Sequence, residues 1–145
     1  MPQIRGANIL IVGATSTIAR CAAGELAARG ARLHLAARDE AEAGRIGQDF
    51  EVRCGTEVSV SPFEATEYGG HERLLDSATE AMGGLDGLLV AIGMLGDQSR
   101  AETDHDHLRD LIEINHGAPA SLIGTAARRF EEQGRSEERR VGKEC

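Results

Sequence analysis

Tryptophan is absent from the 145 residues, and aromatic residues make up only 3% of them. A core of any size must therefore be built from Ala, Leu, Ile and Val. Lysine occurs once, at Lys143; every other basic residue is Arg. Basic residues are outnumbered 16 to 24 by acidic ones, and the net charge is −8. That balance excludes a general nucleic-acid or anionic-membrane surface, since both need an excess of positive charge. No apolar run approaches the roughly 18 residues of a membrane helix. The opening MPQIRGANILIVG shows no charged leader, apolar segment and cleavage site in succession, so no signal peptide is expected. Three widely spaced cysteines (Cys21, Cys54, Cys145) make neither a disulfide framework nor a metal site. They fit a reducing compartment, and the expected location is cytoplasmic.

What is present is a globular composition, 41% apolar, with 18 glycines. The length suits one domain. Residues 8–12 (NILIV) read as a strand whose run Ile9–Val12 is apolar and rich in β-branched residues, the pattern of a parallel strand buried on both faces. It stops at Gly13, and Ala14-Thr15-Ser16-Thr17 makes a polar turn. A helical pattern covers residues 17–29, with Ile18, Cys21, Ala22 and Leu26 as its apolar face and Gly30 as its stop. Residues 32–36 are a second strand. Asp39 caps a second helix whose Ile46 and Phe50 face the core. Residues 57–61 alternate as a third strand, 72–82 form a third helix, and 85–92 a fourth strand ending at Gly93. A long helix is expected over 105–133. Strands alternating with helices imply right-handed βαβ units and a parallel sheet covered on both faces.

Strand, tight turn and helix start together place backbone N–H groups and a helix dipole where a phosphate can sit. A turn of this kind needs Gly at the bend and small residues near the phosphate and at the helix–strand contact. Gly13, Thr17 and Ala19 hold those positions. Arg38 follows the second strand, where a guanidinium suits the 2′-phosphate of NADP and an acid would suit the ribose of NAD. The alternative is a solvated Arg38 paired with Asp39 or Glu42. Pro119 removes the N–H that would meet the carbonyl of Asn115, four residues earlier, freeing an acceptor inside a helix. His105 and His107 lie two apart on a helix and point to different faces, so no metal is expected there.

The order of strand, GATSTIA, second strand ending in AAR, fourth strand ending in Gly93, and helix with Asn115 resembles the short-chain dehydrogenase/reductase family over residues 7–134. The resemblance implies an α/β, Rossmann-type doubly wound parallel sheet in strand order 3-2-1-4, truncated here after the fourth strand and following helix. It implies an oxidoreductase that transfers hydride between NADP(H), with NAD possible, and a carbonyl or secondary alcohol substrate. It assigns cofactor binding to Gly13, Thr15, Ser16, Thr17, Ile18, Arg38, Glu64, Ala91 and Gly93. Glu64 stands where the family has an Asp at the adenine, and Val90-Ala91-Ile92-Gly93 stands where it has NNAG. Asn115 is the proton-relay Asn, its carbonyl holding a water that leads to the catalytic Lys. Met94-Leu95-Gly96-Asp97 is more similar to the branch containing decaprenylphosphoryl keto-sugar reductases. The full-length protein is expected to be a homo-oligomer.

The family's Ser and its Tyr-x-x-x-Lys are missing. The one tyrosine, Tyr68, has Glu72 four residues on and precedes the third helix. Residues 135–145 (RSEERRVGKEC) resemble a translated sequencing adapter, so residues 1–134 are expected to be an NAD(P)-binding Rossmann domain and 135–145 a non-native tail. The chain is then a cofactor half without activity, and its fourth strand is an open sheet edge prone to association. Two other readings are a non-catalytic NADP-binding sensor on the same fold and a sugar-nucleotide epimerase with a longer C-terminal domain.

Overall fold

The computed structural model describes residues 3–134; the segment 135–145, expected as a non-native tail, lies outside the described residues. Strand β1 (Asn8–Val12) is covered on both sides. Leu10 and Val12 pack into one core layer, Ile9 and Ile11 into the other. Two-sided burial is why the strand reads as an unbroken apolar run. β1 pairs in parallel with β2 (Arg32–Ala37) and with β4 (Gly87–Val90), and β2 pairs with β3 (Val58–Pro62). The sheet order is β3-β2-β1-β4, as expected. Val12 stands level with both Ala36 and Val90, so the loops leaving three strands start from one end of the sheet. In open α/β sheets that end is where ligands bind.

Helices α1 (Thr17–Ala28) and α2 (Glu40–Cys54) cover one face; α3 (His71–Met82) and α6 (Ala118–Glu132) cover the other. Ile46 and Phe50 of α2 are buried, as the sequence predicts. The buried face of α1 differs from expectation. It is the stripe Ala19, Ala23 and Ala27, while Ile18 is 76% exposed and Cys21 is also exposed. Residues four apart share one helix face, and methyl side chains let the helix lie closer to the sheet than Ile or Leu would.

The long helix expected over 105–133 is broken. α5 (His105–Ile112) runs into a π-helical turn (Glu113–Gly117), and α6 follows. The Ala118 N–H bonds back five residues to the Glu113 carbonyl. Pro119, in the first turn of α6, cannot donate to Asn115 and would crowd its carbonyl in a regular helix. Widening the backbone by one residue relieves that clash, and such bulges recur at functional sites. A further short helix, α4 (Gln98–Ala101), lies in the loop after β4. The fourth strand is shorter than expected at both ends; just before it, Asp86 bonds the Asn8 backbone through both its N–H and its carboxylate.

His34 of β2 is buried, with Nδ1 2.7 Å from the Ser59 hydroxyl and Nε2 2.8 Å from that of Ser61. Burial lowers its pKa to about 4. Below its ordinary pKa the unfolded chain takes up a proton that the folded chain refuses. The stabilisation is therefore complete above pH ~6.5 and is lost as pH falls toward 4. Wild type should lose on the order of 2 kcal/mol more than His34→Gln between about pH 7 and about pH 4.5, after allowance for solvent screening. Urea melts of both proteins at the two pH values read this directly; equal losses would remove His34 as the cause.

Candidate functional site

β1 ends at Gly13, which takes a φ of +81°. A Cβ there would lie 2.4 Å from the carbonyl oxygen of Ala91. The missing side chain lets the first loop rest on the backbone leaving β4. The N–H groups of Gly13 and Ala14 both donate to the Ala36 carbonyl, at 2.9 and 3.1 Å, which ties the same loop to the end of β2. Ser16, not Thr17, caps α1: its hydroxyl accepts from the Ala19 N–H at 3.2 Å. Thr17 and Ile18 are the first two helical residues, whose N–H groups have no intrahelical acceptor and form the positive end of the helix dipole.

A cleft of about 800 Å³ opens over these strand ends. Gly13, Thr15, Ser16, Arg38, Glu64, Ala91 and Gly93 line it together, with Ile114 from the π turn and the buried Phe63. Thr17 and Ile18 lie outside its lining. The residues come from four separate loops and the π turn, and span 102 positions of sequence (13 to 114, inclusive).

Arg38 is exposed and makes no ion pair with any described residue. Its two sequence neighbours are committed elsewhere. The Asp39 carboxylate caps α2 by accepting from the Glu42 N–H at 2.9 Å. Glu42 faces Arg20 at 3.6 Å and Arg45 at 2.6 Å. The carboxylate of the half-buried Glu64 accepts, among the described residues, only a long bond from the Thr66 hydroxyl at 3.5 Å.

Asn115 acts through its side chain in a way the sequence reading missed. Its amide donates to the Met94 carbonyl at 2.8 Å, and its Oδ1 accepts from the Met94 N–H at 2.8 Å. The pair pins the backbone just after Gly93 to the π turn. Gly93 is confined by the same group, since a Cβ there would sit 3.3 Å from Oδ1. An amide side chain is suited to this, because it offers one donor group and one acceptor side by side. The Tyr68 hydroxyl donates to the Glu113 carboxylate. That bond, then desolvation and the carboxylate's charge, raise the Tyr68 pKa above the ordinary tyrosine value. Tyr68 thus braces the π turn from the loop after β3 and is not poised as a proton donor beside a Lys.

Of the histidines near the loop after β4, His107 accepts from the Asp97 N–H at 3.1 Å through Nε2. Asp104 caps α5 by accepting from the N–H groups of His107 and Asp106. The His107 N–H first, and then the bond from Arg100, hold its carboxyl below the usual carboxylate range. No group of three or more His, Cys, Asp or Glu among the described residues is arranged to hold a metal. No helix among them is long and apolar enough to cross a membrane.

A glycine bend, the N-cap residue Ser16 of α1 and a guanidinium without an ion pair thus share one cleft at the carboxyl end of a 3-2-1-4 parallel sheet. The family described as short chain dehydrogenase matches residues 7–137. The chain belongs to this family. The match runs through all four strands and ends three residues into the segment set apart as a tail. Within the short-chain dehydrogenases, the chain is 30% identical over 138 residues to an uncharacterized oxidoreductase of Mycobacterium tuberculosis, covering 93% of this chain and 54% of that protein. It is 30% identical over 132 residues to the L-rhamnose 1-dehydrogenase (NAD(P)(+)) of Azotobacter vinelandii, covering 88% and 51%. The crystal structure of a short-chain type dehydrogenase/reductase from Mycobacterium marinum superposes with a TM-score of 0.84 at 22% identity, over 91% of this chain and 53% of that one. The chain spans about half the length of the curated relatives it matches.

Proposed function

We propose that this chain is the nucleotide-binding half of an oxidoreductase that moves hydride between NADP(H) and the carbonyl or secondary alcohol of a small molecule. The observation that carries the reading is Arg38: a guanidinium with no ion pair, at the end of β2, in a cleft that also holds the Gly13 bend. The residues fit the group. The cleft volume lies within the ~300–1,000 Å³ of small-molecule and cofactor sites. Gly13 removes the side chain that would fill the cradle, and the start of α1 offers N–H groups to a pyrophosphate. When bound, the nicotinamide supplies or accepts the hydride. Arg38 would hold the 2′-phosphate, Glu64 would accept from the adenine amino group, and Ala91 and Gly93 would offer backbone to the ribose. Asn115 holds the Met94 backbone with its side chain, which leaves its carbonyl, denied a donor by Pro119, for the proton relay.

The proton donor and its partners lie outside residues 1–134 in this reading. The 145-residue chain should therefore show no dehydrogenase turnover with any alcohol. Aldoses and keto-sugars come first, given the L-rhamnose 1-dehydrogenase among the relatives and the Met94–Asp97 likeness to keto-sugar reductases. Sequencing the gene past the codon for residue 134 should reveal a Tyr-x-x-x-Lys after a further strand. Turnover by this chain, or a continuation without that motif, would contradict the reading; the second result favours the sensor.

A further inference from the structure

Twelve arginines lie among the described residues, and nine of them sit within 4.0 Å of a carboxylate. Three do not: Arg5, Arg38 and Arg73. Two of those three, Arg38 and Arg73, line the same recess of about 440 Å³ between the end of β3 and the start of α3. Arg73 is exposed, on the first turn of α3, on the same side as Leu74 and Ser77 where they border the recess. The recess meets the larger cleft at Arg38, Phe63 and Glu64, which line both. Ser61 and Ser77 add hydroxyls to its wall. The Ser61 hydroxyl is engaged by His34, whereas Ser77 shows no side-chain bond to another described residue.

We infer that Arg73 is the second cation for the phosphate that Arg38 receives, so that a 2′-phosphorylated adenosine is gripped from two elements. The inference rests on the NADP reading above. Charge balance is the argument. Glu64 and Glu67 also line the recess. With Arg38 alone, a phosphate would enter a wall of one positive and two negative side chains. Arg73 brings that wall to neutrality, and a guanidinium can offer two parallel N–H groups to phosphate oxygens. A pair of cations left without carboxylates, beside carboxylates that remain unpaired, is the state expected of groups held for an outside anion.

The test is calorimetric titration of the full 145-residue chain with adenosine 2′,5′-bisphosphate and with adenosine 5′-monophosphate. Arg73→Gln should weaken the bisphosphate by about tenfold and the monophosphate by less than about twofold. Arg73→Lys should keep most of the affinity. Arg5→Gln changes the third arginine without an ion pair, which precedes β1 and lies beside Gly30, at the end of the strands away from the cleft, and should change neither. The exposed side chain makes misfolding of Arg73→Gln unexpected, and circular dichroism melts check it. If Arg38→Ala loses the discrimination and Arg73→Gln keeps it, this inference falls and the NADP reading stands. If wild type does not discriminate between the two nucleotides, both fall.

Discussion

Gly13→Ala should destabilise the chain by about 3 kcal/mol and abolish nucleotide binding. Two costs combine at this one position. A left-handed φ of +81° costs a residue with a side chain roughly 1–2 kcal/mol. The added Cβ also meets the Ala91 carbonyl oxygen at 2.4 Å, and that atom is backbone, fixed by the Ala91 N–H bond to the Val12 carbonyl at 2.8 Å. A flexible neighbour could swing aside; this one has to carry the end of β4 with it. Small domains have only ~5–15 kcal/mol of net stability, so the loss is a large fraction of the whole. Gly44→Ala is the comparison, because a Cβ there meets nothing within 4 Å and its helix should gain slightly. Chemical denaturation of the two variants reads the difference. A Gly13→Ala variant as stable as wild type would mean that the first loop does not rest on the end of β4.

The second large effect is expected at Arg38. Arg38→Ala should weaken NADP binding by about 10- to 100-fold and leave NAD within about twofold. That range corresponds to the ~1.5–3 kcal/mol of a hydrogen bond to a charged group. The variant should fold as wild type does, since Arg38 bonds to no described side chain and its neighbours Asp39 and Glu42 keep their own partners. Stability should not move while nucleotide preference does. An ion pair with Asp39 or Glu42 would have given the opposite pattern.

The fold could be read from the chain because its constraints are local or periodic. Strands covered on both faces read as near-continuous apolar runs, and Ile9–Val12 shows this directly. Alternation of strands with helices leaves few topologies. The errors came where a signal depends on distance or volume. On α1, Leu26 packs against the core as expected, but Ile18 and Cys21 are exposed, because contact with the sheet selects the small Ala19, Ala23 and Ala27. The break between α5 and α6 left almost no mark in the periodicity; Pro119 was its one signal, and it foretold a freed carbonyl but not a π turn. The bonds between Asn115 and Met94 join residues 21 apart, and no local pattern announces them. In the same way, the sequence places Arg38 beside two acids, and only the fold shows both acids occupied by other groups. Arg73 has no local signal for a related reason: its meaning lies in lining the same recess as Arg38, 35 residues away in the chain.

The central claim is that the cleft over β1, β2 and β4 takes a nicotinamide dinucleotide and prefers the phosphorylated form. Calorimetric titration of the wild-type 145-residue chain with NADP and, separately, with NAD tests it most directly. One NADP per chain is expected, bound at least about tenfold more tightly than NAD. Equal affinities would contradict the preference, and no binding of either would contradict the site.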